Sequence, residues 1–183
     1  MTANAPLQQP VDLAAPLTGF SQCHAGIVTQ LHALAGLPGL VEAAARAREV
    51  AAGTLALFKG AVLEHHAEEE SELFPAVLRS AVAGEERDRV RSMIDRLTYE
   101  HRALESLWKT LQPAVNAAAR GRPAQLDAAV ATELVQRYLE HAHFEEQSFL
   151  PLAETILGRN GDHMAALGLS LHMRHAPQPV GYI

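Results

Sequence analysis

The chain has 183 residues, enough for one domain with a sizeable hydrophobic core. Its formal net charge of −6 offers no basic surface, so we expect neither nucleic acid nor an anionic membrane as a partner. Apolar residues make up 48% and aromatic residues only 5%, a composition typical of an Ala- and Leu-rich helical protein. A single cysteine, Cys23, excludes an internal disulfide framework. With no recognisable secretion signal or membrane-length apolar stretch, these features predict a cytoplasmic protein.

The apolar periodicity predicts helices throughout the central part of the chain. Residues 1–15 are expected to form a flexible arm, residues 16–158 a helical domain, and residues 159–183 a short helix and tail. The first helix should run from about Leu17 to Gly36, because Pro38 and Gly39 follow. The second should extend from Leu40 to about residue 81, weakened by two glycines and kinked by a proline at position 75.

Two further helices are predicted after a break at Gly84. The third should run from there to about Arg120, and the turn at 121–123 should lead into a fourth helix from Ala124 to about Leu157. Gly158 is expected to cap that helix. Because the three connections are short, the sequence predicts an all-α, antiparallel, up-down-up-down four-helix bundle with a short C-terminal helix and tail.

One motif occurs twice, with an offset of 76 residues. It reads His-x-x-x-Glu-Glu, then two residues, two large apolar residues and a proline. His65 corresponds to His141, and Glu69 corresponds to Glu145. Positions i and i+4 lie on one face of a helix, so each copy directs an imidazole and a carboxylate the same way.

The first and third helices repeat as well. His24 and His101 are 77 residues apart, and the apolar residues around them fall into register. A buried carboxylate without a cationic partner is strongly disfavoured, and the nearby lysines and arginines are not on these apolar stripes. A pair of metal ions meets the requirement. The predicted ligands are His24, His65, Glu69, His101, His141 and Glu145.

The ligand types favour particular metals. Imidazole and carboxylate ligands without a thiolate suit iron or manganese and also accommodate zinc. We expect the two glutamates to bridge the metals, with the remaining positions open to water, oxide or hydroxide, or a small gas molecule. A closed structural zinc site would need only four ligands.

The two motif copies, with His24 and the pair Glu100-His101, resemble the hemerythrin-like (HHE cation-binding) family over roughly residues 17–157. This resemblance implies a non-haem di-iron site inside an up-down-up-down bundle. It also implies a protein that binds O2 or NO, or senses redox state or iron, rather than one that turns over an organic substrate. Signalling of that kind would need a homodimer or an unidentified protein partner.

The chain departs from the oxygen-carrying members of that family at two places. Those members have a second histidine one turn after the third-helix histidine, where this chain has Glu105. They also use an aspartate at longer spacing on the last helix, where this chain has Glu145. His66 and Glu105 are therefore candidates for further ligands, or else residues at the boundary of the site. Glu70 is expected to be solvated.

Two other functional classes are compatible with the sequence. One is a di-iron enzyme, such as an oxidase, a peroxidase or an iron-repair protein. However, the Glu-x-x-His pairs of ferritin-like oxidases are not repeated here. The other is a metal-free helical interaction module, in which the histidines would only fill the core.

Overall fold

The computed structural model describes the backbone of residues 15–159 and the side chains of residues 22–159. The predicted arm, the predicted helix at 164–171 and the tail histidines at 163, 172 and 175 lie outside these residues. Within residues 15–159 every regular element is helical and no strand occurs. The chain divides into two compact units, Met1–Ala47 and Arg48–Ile183.

Six α-helical and three π-helical elements follow one another in the described residues. We name the α-helices α1 to α6 and the π-helical turns π1 to π3. In chain order they are α1 (Ala15–Leu57), π1 (Phe58–Val62), α2 (Leu63–Glu68), π2 (Glu69–Leu73), α3 (Phe74–Ser80), α4 (Glu85–Ala119), α5 (Ala128–Phe144), π3 (Glu145–Phe149) and α6 (Leu150–Gly158).

The predicted end of the first helix near Gly36 is wrong. Helix α1 continues through Gly36 and Pro38 to Leu57. A proline removes one backbone hydrogen bond and bends a helix, but a helix can continue past it when strong helix formers follow. The alanines after Leu40 provide such a sequence.

The first unit is represented by α1 alone. Its described side chains are almost all exposed, including His24 and seven large apolar residues. The helical stretch Gln22–Ser80 contains an 18-residue window with a mean hydropathy of 1.2, so by length and composition it is able to cross a membrane. The expectation that no such stretch exists is therefore wrong, although many bundle helices pass the same test.

Two predicted breaks in the second unit are confirmed. Gly84 has φ = 99° and Gly121 has φ = 66°, conformations that L side chains rarely adopt. Helix α5 begins at Ala128, four residues later than predicted. Its start is fixed by Asp127, whose carboxylate accepts hydrogen bonds from the amides of Ala129 and Val130.

Two apolar clusters make up the core of the second unit. One cluster contains residues of α3, the first half of α4, π3 and α6, and Leu97 and Phe149 are fully buried in it. The other joins the end of α1, π1, the second half of α4 and α5, with the rings of Phe58 and Trp108 stacked at 4.0 Å. Along each helical stretch, the buried residues between these two clusters are polar. The fold therefore holds a polar layer between two apolar ones.

Candidate metal centre

The polar layer consists of buried histidines and glutamates from three helical stretches. Each of these side chains is at most 6% exposed, although a histidine or glutamate in such a position normally needs a partner. The five residues are His66, Glu69, His101, His141 and Glu145.

The backbone is irregular where both buried glutamates occur. Glu69 is the first residue of π2 and Glu145 is the first residue of π3, so the 76-residue repeat includes the π turns. In each copy the proline of the motif lies in the first turn of the next α-helix, where its missing N–H is tolerated. Isolated π turns of this kind are often found at functional sites.

A first group of metal-binding side chains consists of His66, His101 and His141. One nitrogen from each ring lies within 4.8 Å of the others, and all three rings are buried. The rings of His66 and His101 are stacked with centroids 3.9 Å apart. The ring of His141 stands nearly perpendicular to that of His101, with centroids 4.9 Å apart. Three imidazoles converge here from three helices.

A second group consists of His65, Glu69 and Glu145, again with ligand atoms within 4.8 Å of one another. Both glutamates are buried, whereas the His65 side chain is 47% exposed. The second group therefore lies at the edge of the polar layer, where one of its ligands reaches solvent.

Glu69 connects the two groups. Its Oε1 lies 3.3 Å from Nε2 of His65, and its Oε2 lies 3.3 Å from Nε2 of His101. One carboxylate thus faces a histidine of each group with a different oxygen. A carboxylate in this position could offer one oxygen to an ion held by each group.

Carboxylates also face the outer nitrogens of two buried histidines. Nδ1 of His101 lies 2.8 Å from Oε1 of Glu70, and Nδ1 of His141 lies 3.1 Å from Oε2 of Glu100. The prediction that Glu70 is solvated is therefore wrong, because α4 brings His101 against it. Such contacts are the usual support of metal-binding histidines, because they orient the ring and fix its tautomer.

Burial and neighbouring charges shift several pKa values in the layer. Burial, with the nearby His101 and His141, lowers the pKa of His66 to about 3. Burial also lowers the pKa of His141, although Glu100 opposes the shift. Burial opposes protonation of His101, but its close contacts with Glu69 and Glu70 outweigh burial and raise its pKa.

The two buried glutamates behave as a coupled pair. Burial, and then the interaction with Glu69, raises the pKa of Glu145. Burial also opposes ionisation of Glu69, but its interactions with His101 and Glu145 lower its pKa overall. One carboxyl group therefore keeps a proton while the other is ionised.

Buried polar atoms without a hydrogen-bond partner test whether a metal fits this layer. In the described part of the chain they include Nε2 of all three histidines in the first group and both oxygens of Glu69. Leaving so many buried polar atoms unpaired is costly, and each of them is a good metal ligand. The donor set of imidazoles and carboxylates thus fits a divalent or trivalent cation.

The structure places the other predicted residues as follows. His24 is exposed in the first unit and belongs to neither group found among the described residues. Glu105 is partly buried, and its Oε1 lies 3.9 Å from Nδ1 of His66. The Tyr138 ring lies 6.0 Å from that of His141 and packs on the second apolar cluster. His143 is exposed, as its helical position predicted.

The sequence repeat favours His65 over His66 as a ligand, because only His65 has a counterpart at the 76-residue offset. The structure buries His66 and leaves His65 half exposed. Val62, His66 and Glu69 follow one another at spacings of four and three residues and so share the buried face, whereas His65 lies at the edge of that face.

Comparisons with known proteins give one match. Neither the curated proteins nor the solved structures include a significant match to this chain. The family model of the hemerythrin HHE cation-binding domain matches residues 15–153, which is most of the chain. The clustered histidines and glutamates are what a domain of that description needs. The chain belongs to the hemerythrin HHE cation-binding domain family.

Proposed function

We propose that the protein binds two iron ions in the polar layer and uses them to bind O2 or NO, or to sense redox state or iron. The observation that carries this proposal is Glu69, a buried carboxylate whose two oxygens face histidines from two separate groups. A mononuclear site would not need the second group, and a structural zinc site would not need a bridging carboxylate.

The two groups suggest an unequal pair of metal positions. His66, His101 and His141 would hold one ion through three imidazoles. His65, Glu69 and Glu145 would hold the other through two carboxylates and one imidazole. Iron in such a nitrogen and oxygen environment supplies reversible one-electron chemistry and open positions for small ligands, and manganese or zinc is also compatible with these donors.

The sequence repeat makes His24 a further ligand in this proposal. It corresponds to His101 at an offset of 77 residues, and the apolar residues Ile27, Leu31 and Leu34 follow it at helical spacing. We propose that this stripe of α1 supplies the fourth helix of an antiparallel bundle and that His24 completes the ligand set. Measuring the mass of the protein in solution shows whether a single chain or a homodimer forms that bundle.

The composition supports a cytoplasmic protein without membrane or nucleic-acid partners. The net charge is −6, and the single cysteine fits a reducing compartment. Fractionation of cells that produce the tagged full chain tests this location. Recovery with the membrane fraction would contradict a cytoplasmic location and would indicate that the apolar stretch in Gln22–Ser80 enters a membrane.

Elemental analysis with absorption spectroscopy tests the metal proposal. We expect about two iron ions per chain after anaerobic loading, and a change in the visible spectrum when O2 or NO is added. The matched controls are His141→Ala, which removes a buried candidate ligand, and His143→Ala, which removes an exposed histidine two residues away. His141→Ala should lower the iron content, and His143→Ala should not.

Three outcomes would contradict the proposal in different ways. A single tightly bound zinc ion with no spectral response would indicate a structural site. Sustained consumption of O2 or H2O2 by the iron-loaded protein would indicate an oxidase or a peroxidase. Equal metal content in the wild-type protein and in His141→Ala would indicate a metal-free interaction module.

A further inference from the structure

Two arginines on α4 each hold a glutamate that also faces a buried histidine. Nε of Arg96 lies 2.7 Å from Oε1 of Glu100, whose other oxygen lies 3.1 Å from Nδ1 of His141. Arg102 forms an ion pair with Oε2 of Glu70, whose other oxygen lies 2.8 Å from Nδ1 of His101. Each glutamate thus contacts an arginine with one oxygen and a histidine with the other.

Exposure falls steadily along both chains of contacts. The side chains of Arg96 and Arg102 are 49% and 56% exposed. The two glutamate side chains are about one-quarter exposed, and the two histidines are buried. Both chains of contacts therefore start at the protein surface and end at an imidazole of the first metal group.

An ionised carboxylate can only accept hydrogen bonds, so the histidine nitrogen that faces it must donate. A neutral imidazole that donates from Nδ1 carries its lone pair on Nε2. In the region that the structure describes, Nε2 of His101 and Nε2 of His141 have no hydrogen-bond partner. The contacts with Glu70 and Glu100 therefore select the tautomer that leaves a lone pair free inside the polar layer.

The third histidine of the group is held less firmly. Nη1 of Arg102 lies 2.9 Å from Oε1 of Glu105, but that oxygen is 3.9 Å from Nδ1 of His66. This distance is too long for a hydrogen bond. Both nitrogens of His66 are without a partner among the described residues. Two of the three imidazoles are thus oriented from outside, and the third is not.

Surface ion pairs on helices are common and contribute little to stability. An ion pair alone is therefore not evidence that either arginine has a functional role. Arg96 and Glu100 are four residues apart on α4, which alone would explain their pairing. However, Arg102 reaches Glu70 on another helix, 32 residues away. The guanidinium of Arg96 is further fixed by the Phe144 ring, 3.6 Å from its centroid.

We propose that Arg96 and Arg102 are positioning residues of the metal centre. They hold Glu100 and Glu70 so that His141 and His101 present Nε2 to the metal. This inference rests on the proposed function, because the arginines position ligands only if a metal binds. The tautomers of His141 and His101 can nevertheless be measured in the metal-free protein, so the inference and the function can be tested separately.

The variants Arg96→Gln and Arg102→Gln test this role, with Arg137→Gln as the matched control. Arg137 is 48% exposed and pairs with Glu133 four residues earlier on the same helix, like Arg96 and Glu100. Among the described residues, Glu133 contacts this arginine and no histidine. All three substitutions remove a half-exposed ion pair, but only two of them touch the histidine contacts.

The first measurement is Co2+ affinity, by competition with a chelator, together with the visible spectrum of the bound Co2+. We expect a 10- to 100-fold lower affinity and an altered spectrum for Arg96→Gln and Arg102→Gln. Arg137→Gln should stay within about 2-fold of the wild type. Arg96→Lys, which restores the positive charge, should recover part of the affinity.

The second measurement is the tautomer of His141 in the metal-free protein, read from the nitrogen chemical shifts of its ring. We expect Nδ1–H in the wild type and in Arg137→Gln, and a mixture of tautomers in Arg96→Gln. Unchanged Co2+ affinity and spectrum in both Arg96→Gln and Arg102→Gln, together with an unchanged His141 tautomer in Arg96→Gln, would overturn the inference. Failure of the wild type to bind metal would overturn the proposed function, while the tautomer would still decide this inference.

Discussion

Glu69 and Glu145 lie 76 residues apart in the chain, yet a carboxylate oxygen of each lies within 4.8 Å of the other, and burial beside Glu69 raises the pKa of Glu145. Both begin a π turn, and both are buried in the polar layer. Two carboxylates in such surroundings cannot both ionise without a cation nearby. Protonation of Glu145 therefore removes a negative charge that a bound cation would otherwise balance.

The raised pKa of Glu145 predicts how the stability of the metal-free protein depends on pH. Glu145 has a pKa raised from 4.5 to about 9 in the folded state, so its stabilising contribution is complete below about pH 4.5 and is lost as the pH rises towards 9. His66 has a pKa lowered to about 3 in the folded state, so its stabilising contribution grows as the pH rises and is complete above its unfolded pKa of 6.5. Between pH 7 and 9 the His66 contribution no longer changes, and the ionisation of Glu145 lowers the free energy of unfolding by up to about 1.4 kcal/mol per pH unit.

Thermal unfolding at pH 7, 8 and 9 in the presence of a chelator checks this expectation. Glu145→Gln should weaken the dependence, because the amide does not ionise and the raised pKa of His101 then remains. The exposed substitution Glu140→Gln, five residues earlier in the chain, should leave the dependence as in the wild type. A wild-type melting temperature that does not change over this range would contradict the prediction.

Metal binding should stabilise the protein strongly, because the ligands are assembled only in the folded state. A metal at 100 times its dissociation constant adds about 2.7 kcal/mol to the free energy of unfolding. We expect the melting temperature to rise with metal concentration and to fall again after chelation. Differential scanning fluorimetry with a series of Fe2+, Mn2+ and Zn2+ concentrations measures this rise.

Replacing His66 separates stability from metal binding. Both of its ring nitrogens are buried and lack a partner in the described structure, so His66→Leu should stabilise the metal-free protein by about 1–3 kcal/mol. The same variant should lose the ion held by the first group. Denaturant unfolding and metal stoichiometry provide the two readouts.

The control for that experiment is His143→Leu. His143 is exposed, so this substitution should change the free energy of unfolding by less than about 0.5 kcal/mol and leave metal content unchanged. If His66→Leu destabilised the metal-free protein as a cavity mutant does, while binding metal normally, His66 would be a core residue and not a ligand.

The turn between α4 and α5 depends on Gly121. Its φ of 66° costs any L residue about 1–2 kcal/mol, and an added Cβ would lie 3.2 Å from Cδ of Arg48. Gly121→Ala should therefore lower the free energy of unfolding by at least about 1 kcal/mol. Gly158→Ala is the matched control, because Gly158 is helical and, among the described residues outside its own helical turn, no atom lies within 4 Å of the position that an added Cβ would take. Denaturant unfolding of both variants measures the difference, and a stabilised Gly121→Ala would contradict the strained turn.

Much of α4 and of the last helix could be predicted from sequence, because their apolar residues follow one regular period. The buried residues of α4, from Val90 to Leu111 and including His101, follow one another at helical spacing. The breaks at Gly84 and Gly121 were also predictable, since only glycine adopts their backbone conformations readily.

The remainder depends on features that a regular period does not contain. His66 is buried and His65 is half exposed, although the two are adjacent and both follow the buried Val62 at helical spacing. The pairing of Glu70 with His101 requires two helices to meet, which only the three-dimensional structure specifies. Glu100 directly precedes His101 in sequence, yet it contacts His141 of a different helix.

Trp108, stacked on Phe58, is the only tryptophan in the chain. It lies seven residues beyond His101 on α4, which corresponds to roughly 10 Å along the helix axis. A coloured or paramagnetic ion at that distance quenches indole emission, whereas zinc does not. The protein thus carries an intrinsic fluorophore that distinguishes iron from zinc without a label, and that can follow metal loading in real time.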